Sequence, residues 1–171
     1  MRNRVGSLGA AVAALALVVS APVARADDPD LLAIGGGAYN VLHNKKEAEL
    51  RVEYRFAYRF LYIIRPIAGV IATNKGSTYG YGGFRLDADI GRHFVITPEA
   101  AVGGWSEGGG KNLGGAIEFK TGAEFAYRFD DNSRLGFIFD HISNAGIYKR
   151  NPGVESGMVV YSIPVGWLSG P

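Results

Sequence analysis

The sequence predicts an all-β protein, an eight-stranded antiparallel transmembrane β-barrel that follows a cleaved signal peptide. Three observations lead to this prediction. The chain begins with an apolar segment that ends at a cleavage-site pattern, the rest of it alternates between polar and apolar residues, and about eight alternating segments can be counted. Together these features describe a chain that is exported and then folds through strands alone.

Residues 1–26 have the three parts of a signal peptide. Two arginines near the start supply positive charge, residues 8–19 form a small apolar run, and residues 24–26 read Ala-Arg-Ala, which fits a cleavage site. A short membrane anchor is the alternative, but the run is shorter than the roughly 20 residues that span a bilayer. Cleavage leaves residues 27–171 as one barrel domain outside the cytoplasm.

The composition excludes several classes of protein. The chain of 171 residues has 18 Lys and Arg against 16 Asp and Glu, and loss of the signal peptide changes its net charge from +2 to −1. This balance excludes a basic nucleic-acid-binding surface and an acidic disordered chain. The absence of cysteine excludes a disulfide scaffold, a thiolate metal site and a cysteine nucleophile.

The alternation is clearest at residues 49–56, where charged residues occupy the odd positions and apolar residues the even ones. A period of two places the charges on one face of a strand, whereas a helix would spread them around its circumference. The pattern recurs, interrupted by turn-like runs of Asn, Asp, Gly and Lys. The predicted strands are 31–42, 48–58, 62–73, 78–91, 93–104, 115–129, 133–143 and 156–168.

Two kinds of barrel fit this pattern. A soluble, lipocalin-like barrel keeps its apolar side chains inside, whereas a membrane barrel turns them outward. The strands are long enough to cross a bilayer at a tilt, and their polar face mixes both signs of charge, as expected of ion pairs in a narrow lumen. The membrane barrel is therefore favoured, without a conducting pore. The aromatic residues near strand ends resemble interfacial girdles, and they are Tyr54, Phe56, Tyr58, Phe60, Tyr62, Tyr127, Phe129, Tyr161 and Trp167.

Three polar residues in the last quarter of the chain suggest a reaction. His141 and Ser143 lie two positions apart on a predicted strand, so they share a face, and Glu155 follows at the start of the next strand. An imidazole, a hydroxyl and a carboxylate are the base, nucleophile and orienting group of a serine hydrolase. The alternative is chance, because polar side chains near a strand end also suit the lipid headgroup zone.

The alternation of odd and even positions along a strand predicts that these residues lie on the outer wall. His141 and Ser143 share their face with three large apolar residues, and Glu155 has the parity of the apolar face of the last strand. Both termini of such a barrel lie in the periplasm, so the end of the seventh strand and the start of the eighth face the cell surface. A hydrolytic site there would meet lipids of the outer leaflet.

This segment resembles the signature of the lipid A 3-O-deacylase (PagL) family. The residues that carry the resemblance are His141-x-Ser143-Asn144-Ala145 and Asn151-Pro152-Gly153-x-Glu155. The resemblance implies an eight-stranded outer-membrane barrel that hydrolyses the ester-linked 3-O-acyl chain of lipid A. It also implies that Ser143 is the nucleophile, His141 its general base and Glu155 the orienting carboxylate.

The resemblance implies further roles and partners. Asn144 and Asn151 would supply oxyanion-hole or site-shaping contacts, and Gly153 would allow a close backbone approach or a tight turn. Lipid A, as part of lipopolysaccharide, would be the substrate, with no cofactor and no metal. Lys149 and Arg150 are candidates for contacting lipid phosphates, and solvated loop charges are an equal explanation. A homodimer is left open, because the sequence is silent on oligomeric state.

Two other functions stay open at this stage. One is a non-catalytic barrel with a structural or adhesive role, and the other is a soluble barrel that carries a small apolar ligand. The remaining histidines, His43 and His93, fall at a predicted turn and between two strands. Neither belongs to a cluster of histidines and carboxylates with metal-ligand spacing, so both are set aside.

Overall fold

The computed structural model describes residues 28–168, and the predicted signal peptide at residues 1–26 lies outside them. The described part of the chain forms strands and a single 3-10 turn, Val165–Trp167. The strands are β1 Leu31–Tyr39, β2 Glu47–Arg55, β3 Ile64–Thr73, β4 Thr78–Leu86, β5 Ala88–Ile90, β6 Phe94–Ser106, β7 Ile117–Arg128, β8 Arg134–Ser143 and β9 Val154–Pro164. Within residues 28–168, no helix has the length and apolar character needed to cross a membrane.

These strands close into one antiparallel barrel. β1 pairs with both β2 and β9, and β4 pairs with β6, so the sheet has no free edge. The short β5 continues β4 along the same neighbour, β6, which gives eight strand positions around the barrel. The predicted eight-stranded antiparallel barrel is confirmed.

The predicted strand 78–91 is divided into β4 and β5 for a local reason. The pairs Arg85–Glu99 and Ala88–Ile96 belong to one continuous register, which places Pro98 opposite Leu86. Proline has no N–H to donate to the ladder, so the hydrogen bonding between the two strands lapses at this point.

The apolar face of the sheet points outward and the charged face points inward. Phe137 and Val159 on the outer wall are 52% and 56% exposed, whereas Arg51 and Arg55 in the lumen are 1% exposed. A soluble barrel has the reverse arrangement, because its apolar side chains must leave water. The predicted transmembrane β-barrel is therefore confirmed, and the soluble alternative is wrong.

Ion pairs fill the lumen. The Arg55 guanidinium lies 2.8 Å from Glu53 on its own strand and 2.7 Å from Glu124 across the barrel. Arg51 approaches Asp140 of β8 at 2.7 Å. Buried charges are tolerated only when they are paired, and side chains of mixed sign therefore replace an apolar core inside this narrow barrel.

The barrel has two different ends. One end, called here the terminal end, carries both ends of the described chain and the turns 56–63, 91–93 and 129–133. The opposite end, called the loop end, carries the connections 40–46, 74–77, 107–116 and 144–153. Because His141, Ser143 and Glu155 are at the last residues of β8 and the first of β9, all three lie at the loop end.

The predicted aromatic girdle lies at one end of the barrel. All nine aromatic residues predicted at membrane interfaces lie toward the terminal end, where their side chains are at least partly exposed. His93 stacks on Tyr127 with ring centroids 5.1 Å apart, and Phe129 meets the same ring edge-on at 5.1 Å. The sequence showed that these residues lie near strand ends, but only the strand directions show that it is the same end each time.

We expect Arg55→Ala to destabilise the barrel by about 3–5 kcal/mol, because it removes the cation between two buried carboxylates, Glu53 and Glu124. Urea unfolding in detergent micelles, followed by the gel mobility of the folded barrel, measures the change. Val52→Ala, on the outward face of the same strand, is the control and should stay within about 0.5 kcal/mol of wild type. A wild-type unfolding midpoint for Arg55→Ala would show that the lumen pairs do not hold the barrel together.

Candidate active site

His141 and Glu155 face each other directly across β8 and β9. Both point away from the lumen, with side-chain exposures of 44% and 20%. His141 Nδ1 lies 3.1 Å from Glu155 Oε1, within hydrogen-bond reach. A carboxylate that accepts from Nδ1–H leaves Nε2 as the basic nitrogen of the imidazole. The strand register therefore brings the predicted base and its predicted orienting group together.

Ser143 shares the outer face with His141, and both border one small space. A Cβ atom placed on Gly153 would lie 3.3 Å from His141 Nε2 and 3.7 Å from Ser143 Cβ. Within residues 28–168 the Ser143 hydroxyl makes no hydrogen bond to His141. Catalytic hydrogen bonds are often long without substrate and shorten when it binds, so proximity on one face is the relevant geometry.

Gly153 is required at its position on two grounds. Its φ of +51° lies in the left-handed region, which costs other L-residues energy. A side chain there would also begin 2.7 Å from His141 Cε1, closer than two carbon atoms can approach. The sequence suggested a close backbone approach or a tight turn, and the structure shows a close approach to the imidazole.

The two asparagines differ in what they contact. The buried Asn144 donates from Nδ2 to the carbonyls of Leu113 and Arg150, each at 2.8 Å, and its Oδ1 accepts from Gly146 N at 3.0 Å. These bonds engage both the donor and the acceptor of the Asn144 side-chain amide and hold the loop 144–153 in place. Asn151 is exposed, and its Oδ1 accepts from the backbone N–H of Asn144 at 3.1 Å, so Nδ2 is its remaining donor.

A second imidazole, that of His43, lies beside the same carboxylate. His43 Nδ1 is 3.9 Å from Glu155 Oε2, and the backbone N–H of Val41 donates to the Glu155 carbonyl at 3.0 Å. The sequence does not predict this contact, because nothing in the local pattern around His43 links it to a residue more than a hundred positions later. Only the closure of β1 against β9 brings the loop 40–46 to the site.

The sequence also predicts that the site holds neither a metal nor a cofactor. Among residues 28–168, no three His, Asp or Glu side chains come together as a metal site. His93 lies at the terminal end, where its Nδ1 is 3.0 Å from the Arg128 carbonyl. The absence of a metal and of a cofactor stays a prediction.

Solved structures share the barrel. The chain is similar to the structure described as the crystal structure of the outer membrane enzyme PagL, with a TM-score of 0.57 and 21% identity over 78% of this chain and 99% of that one. Neisserial surface protein A gives a TM-score of 0.57 and 11% identity, over 82% of this chain and 99% of its own. A designed transmembrane β-barrel gives 0.57 and 11%, over 81% and 98%. At these identities the likeness concerns the fold alone.

Sequence comparison gives the family. Lipid A deacylase PagL of Pseudomonas aeruginosa is 33% identical over 57 residues, a match that spans 33% of this chain and 33% of that protein. The family model described as lipid A 3-O-deacylase (PagL) matches residues 36–164, from within β1 to the end of β9. That range includes His141, Ser143 and Glu155. The chain therefore belongs to the lipid A 3-O-deacylase (PagL) family.

Proposed function

We propose that this chain is an outer-membrane lipid A deacylase, a serine esterase that hydrolyses the ester-linked 3-O-acyl chain of lipid A. One observation carries the proposal. The hydrogen-bonded pair of His141 and Glu155 stands beside Ser143 on the lipid-facing wall, in a chain of this family. A hydrolase for a soluble ester has no reason to place its base and nucleophile on a face that meets acyl chains.

The surroundings of Ser143 suit an acyl chain. Its register partner on β7 is Phe119. Phe139 lies on the same face of β8, two residues before His141. These rings are 38% and 45% exposed on the outer wall. A lipid packed against this wall would place its acyl carbons on the aromatic side chains and its ester bond at the level of the polar residues.

The proposed reaction is acyl transfer to water in two steps. Nε2 of His141 takes the proton from the Ser143 hydroxyl while its oxygen attacks the ester carbonyl, and Glu155 stabilises the resulting imidazolium. His141 then returns the proton to the leaving sugar oxygen, which leaves an acyl-serine. Water, deprotonated by His141, attacks the acyl-serine, and a free fatty acid and the original serine are released.

The oxyanion of the tetrahedral intermediate needs a hydrogen-bond donor. The structure commits the Asn144 amide to the loop, so its part in the proposal is to shape the site. Asn151 Nδ2 is the side-chain donor that we assign to the oxyanion, since its Oδ1 is held by the Asn144 N–H and fixes the direction of the amide. One such donor contributes roughly 3 kcal/mol to lowering a barrier of this kind.

The proposed location is the outer membrane, with the termini in the periplasm and the loop end at the cell surface. This orientation puts the triad in the outer leaflet, where lipopolysaccharide lies. One copy of the chain holds all three residues, so the reaction as proposed needs no second copy.

We expect Ser143→Ala and His141→Ala each to reduce lipid A deacylation by about 10⁴-fold or more, and the double variant to lose little beyond either single one, because the two residues act as one unit. Mass spectrometry of lipid A from cells that express each variant measures the result. Ser156→Ala is the control, because Ser156 points into the lumen and donates to Glu49. Unchanged lipid A with the wild-type protein would favour a structural or adhesive barrel.

A second prediction concerns Gly153. Gly153→Ala should cost about 1–2 kcal/mol of stability from its positive φ and should also push the imidazole aside, reducing kcat by about a hundredfold. Gly91→Ala is the matched control, since Gly91 has a φ of +65° but nothing within 4 Å of an added Cβ. Both variants should unfold earlier in urea, and only Gly153→Ala should lose activity in micelles. Equal activities for the two variants would contradict the role assigned to Gly153.

A further inference from the structure

The basic residues of the described chain fall into two groups. Residues 28–168 contain 15 lysines and arginines, and nine of them lie within 4.0 Å of a carboxylate oxygen, in the lumen or at the terminal end. The other six have no carboxylate partner within that distance in the described part of the chain, and every one lies at the loop end. They are Lys45, Lys46, Lys75, Lys111, Lys149 and Arg150.

Four of the six surround one cavity. The cavity has a volume of about 780 Å³ and lies between the loop 40–46, the turn after β3 and the loop before β7. Its cationic lining consists of Lys45, Lys46, Lys75 and Lys111, and we call it the lysine cavity. One carboxylate, the largely buried Glu47, also lines it, so an excess of positive charge remains. The volume lies in the range of small-molecule sites.

The lysine cavity adjoins the triad. His43 lines it and also lies 3.9 Å from Glu155 Oε2. Lys111 is held by a hydrogen bond from Nζ to Asn40 Oδ1 at 3.1 Å, and although burial lowers its pKa, the nearby Glu155 carboxylate acts in the opposite direction. A molecule whose ester reached Ser143 would therefore carry its polar part toward this cavity.

We propose that the lysine cavity binds a phosphate group on the sugar headgroup of the lipid substrate, an inference that rests on the proposed function. Four ammonium groups without a carboxylate within 4.0 Å repel one another. A phosphate dianion bound between them would add attraction to each group and offset that repulsion. Lysine is a point-charge ligand for phosphate, and several together bind it without demanding one geometry. Lipid A is a phosphorylated glycolipid, so an ester and a phosphate are present in the same molecule.

The test uses the purified full chain in detergent micelles and two substrates, lipid A with its phosphates and the same lipid after their removal. Replacement of Lys45, Lys46, Lys75 and Lys111 by glutamine should lower kcat/KM for the phosphorylated lipid roughly tenfold or more, mainly through KM. The same variant should cleave the dephosphorylated lipid at the wild-type rate. The wild-type preference for the phosphorylated lipid should shrink at high salt, because the charges are near the surface.

A matched pair of double variants separates local binding from net charge. Lys45→Gln with Lys46→Gln and Arg59→Gln with Arg92→Gln each remove two positive charges, the first pair at the cavity and the second at the terminal end. Only the first pair should weaken cleavage of the phosphorylated lipid. Equal losses for both pairs, or equal losses on both lipids, would overturn the proposal.

Binding to the Ser143→Ala protein distinguishes failure of this inference from failure of the proposed function. If Ser143→Ala still deacylates lipid A, the proposed triad is wrong, yet tighter binding of the phosphorylated lipid would still support the cavity. If the Ser143→Ala protein binds both lipids equally, the cavity proposal is overturned. Inorganic phosphate should compete only at concentrations far above that of the lipid, and equally tight binding of free phosphate would overturn the headgroup as its source.

Discussion

The need to pair charges inside a narrow barrel is the constraint on which the rest of the structure depends. Along a strand, an inward side chain fixes its neighbour as outward. Asp140 meets Arg51 in the lumen, so His141 faces out; Ser156 donates to Glu49 in the lumen, so Glu155 faces out. A slip of one residue would bury the imidazole and expose the carboxylate of Asp140 to lipid. The packing of the lumen therefore holds the proposed reacting groups in place.

Much of this architecture could be predicted from the sequence, because a period of two is a local property. Alternation predicted the strands, the faces and the shared outer wall of His141, Ser143 and Glu155. It could not predict what depends on the partner strand or on loop direction. The break at Asp87 comes from Pro98 on a neighbouring strand, and the position of His43 comes from barrel closure. Contacts between residues far apart in the chain leave no pattern in the local sequence of either segment.

Basic side chains are paired with carboxylates in the lumen but not at the loop end. Each enclosed cation among residues 28–168 has a carboxylate within 4.0 Å, which offsets the cost of burying its charge. The six cations at the loop end have no carboxylate within that distance among residues 28–168, and they remain available to an external anion. The site lies at the boundary of these zones, with an apolar wall on one side and a basic rim on the other. An amphiphile with a charged head and acyl tails matches both surfaces at once, which neither a soluble ester nor a neutral lipid does.

The position of the predicted aromatic girdle, at the terminal end, has a consequence for access of the proposed substrate. Aromatic rings at a bilayer interface act as depth markers, and here the nine predicted girdle residues lie toward the terminal end, whereas Phe119 and Tyr148 are at least partly exposed at the loop end. The larger set of aromatic anchors therefore lies in one leaflet, and the height of the opposite rim depends mainly on strand length. In the proposed reaction, thickening or thinning of the hydrocarbon layer would then move the ester bond of the lipid up or down relative to Ser143, so that membrane composition would set how often the two meet.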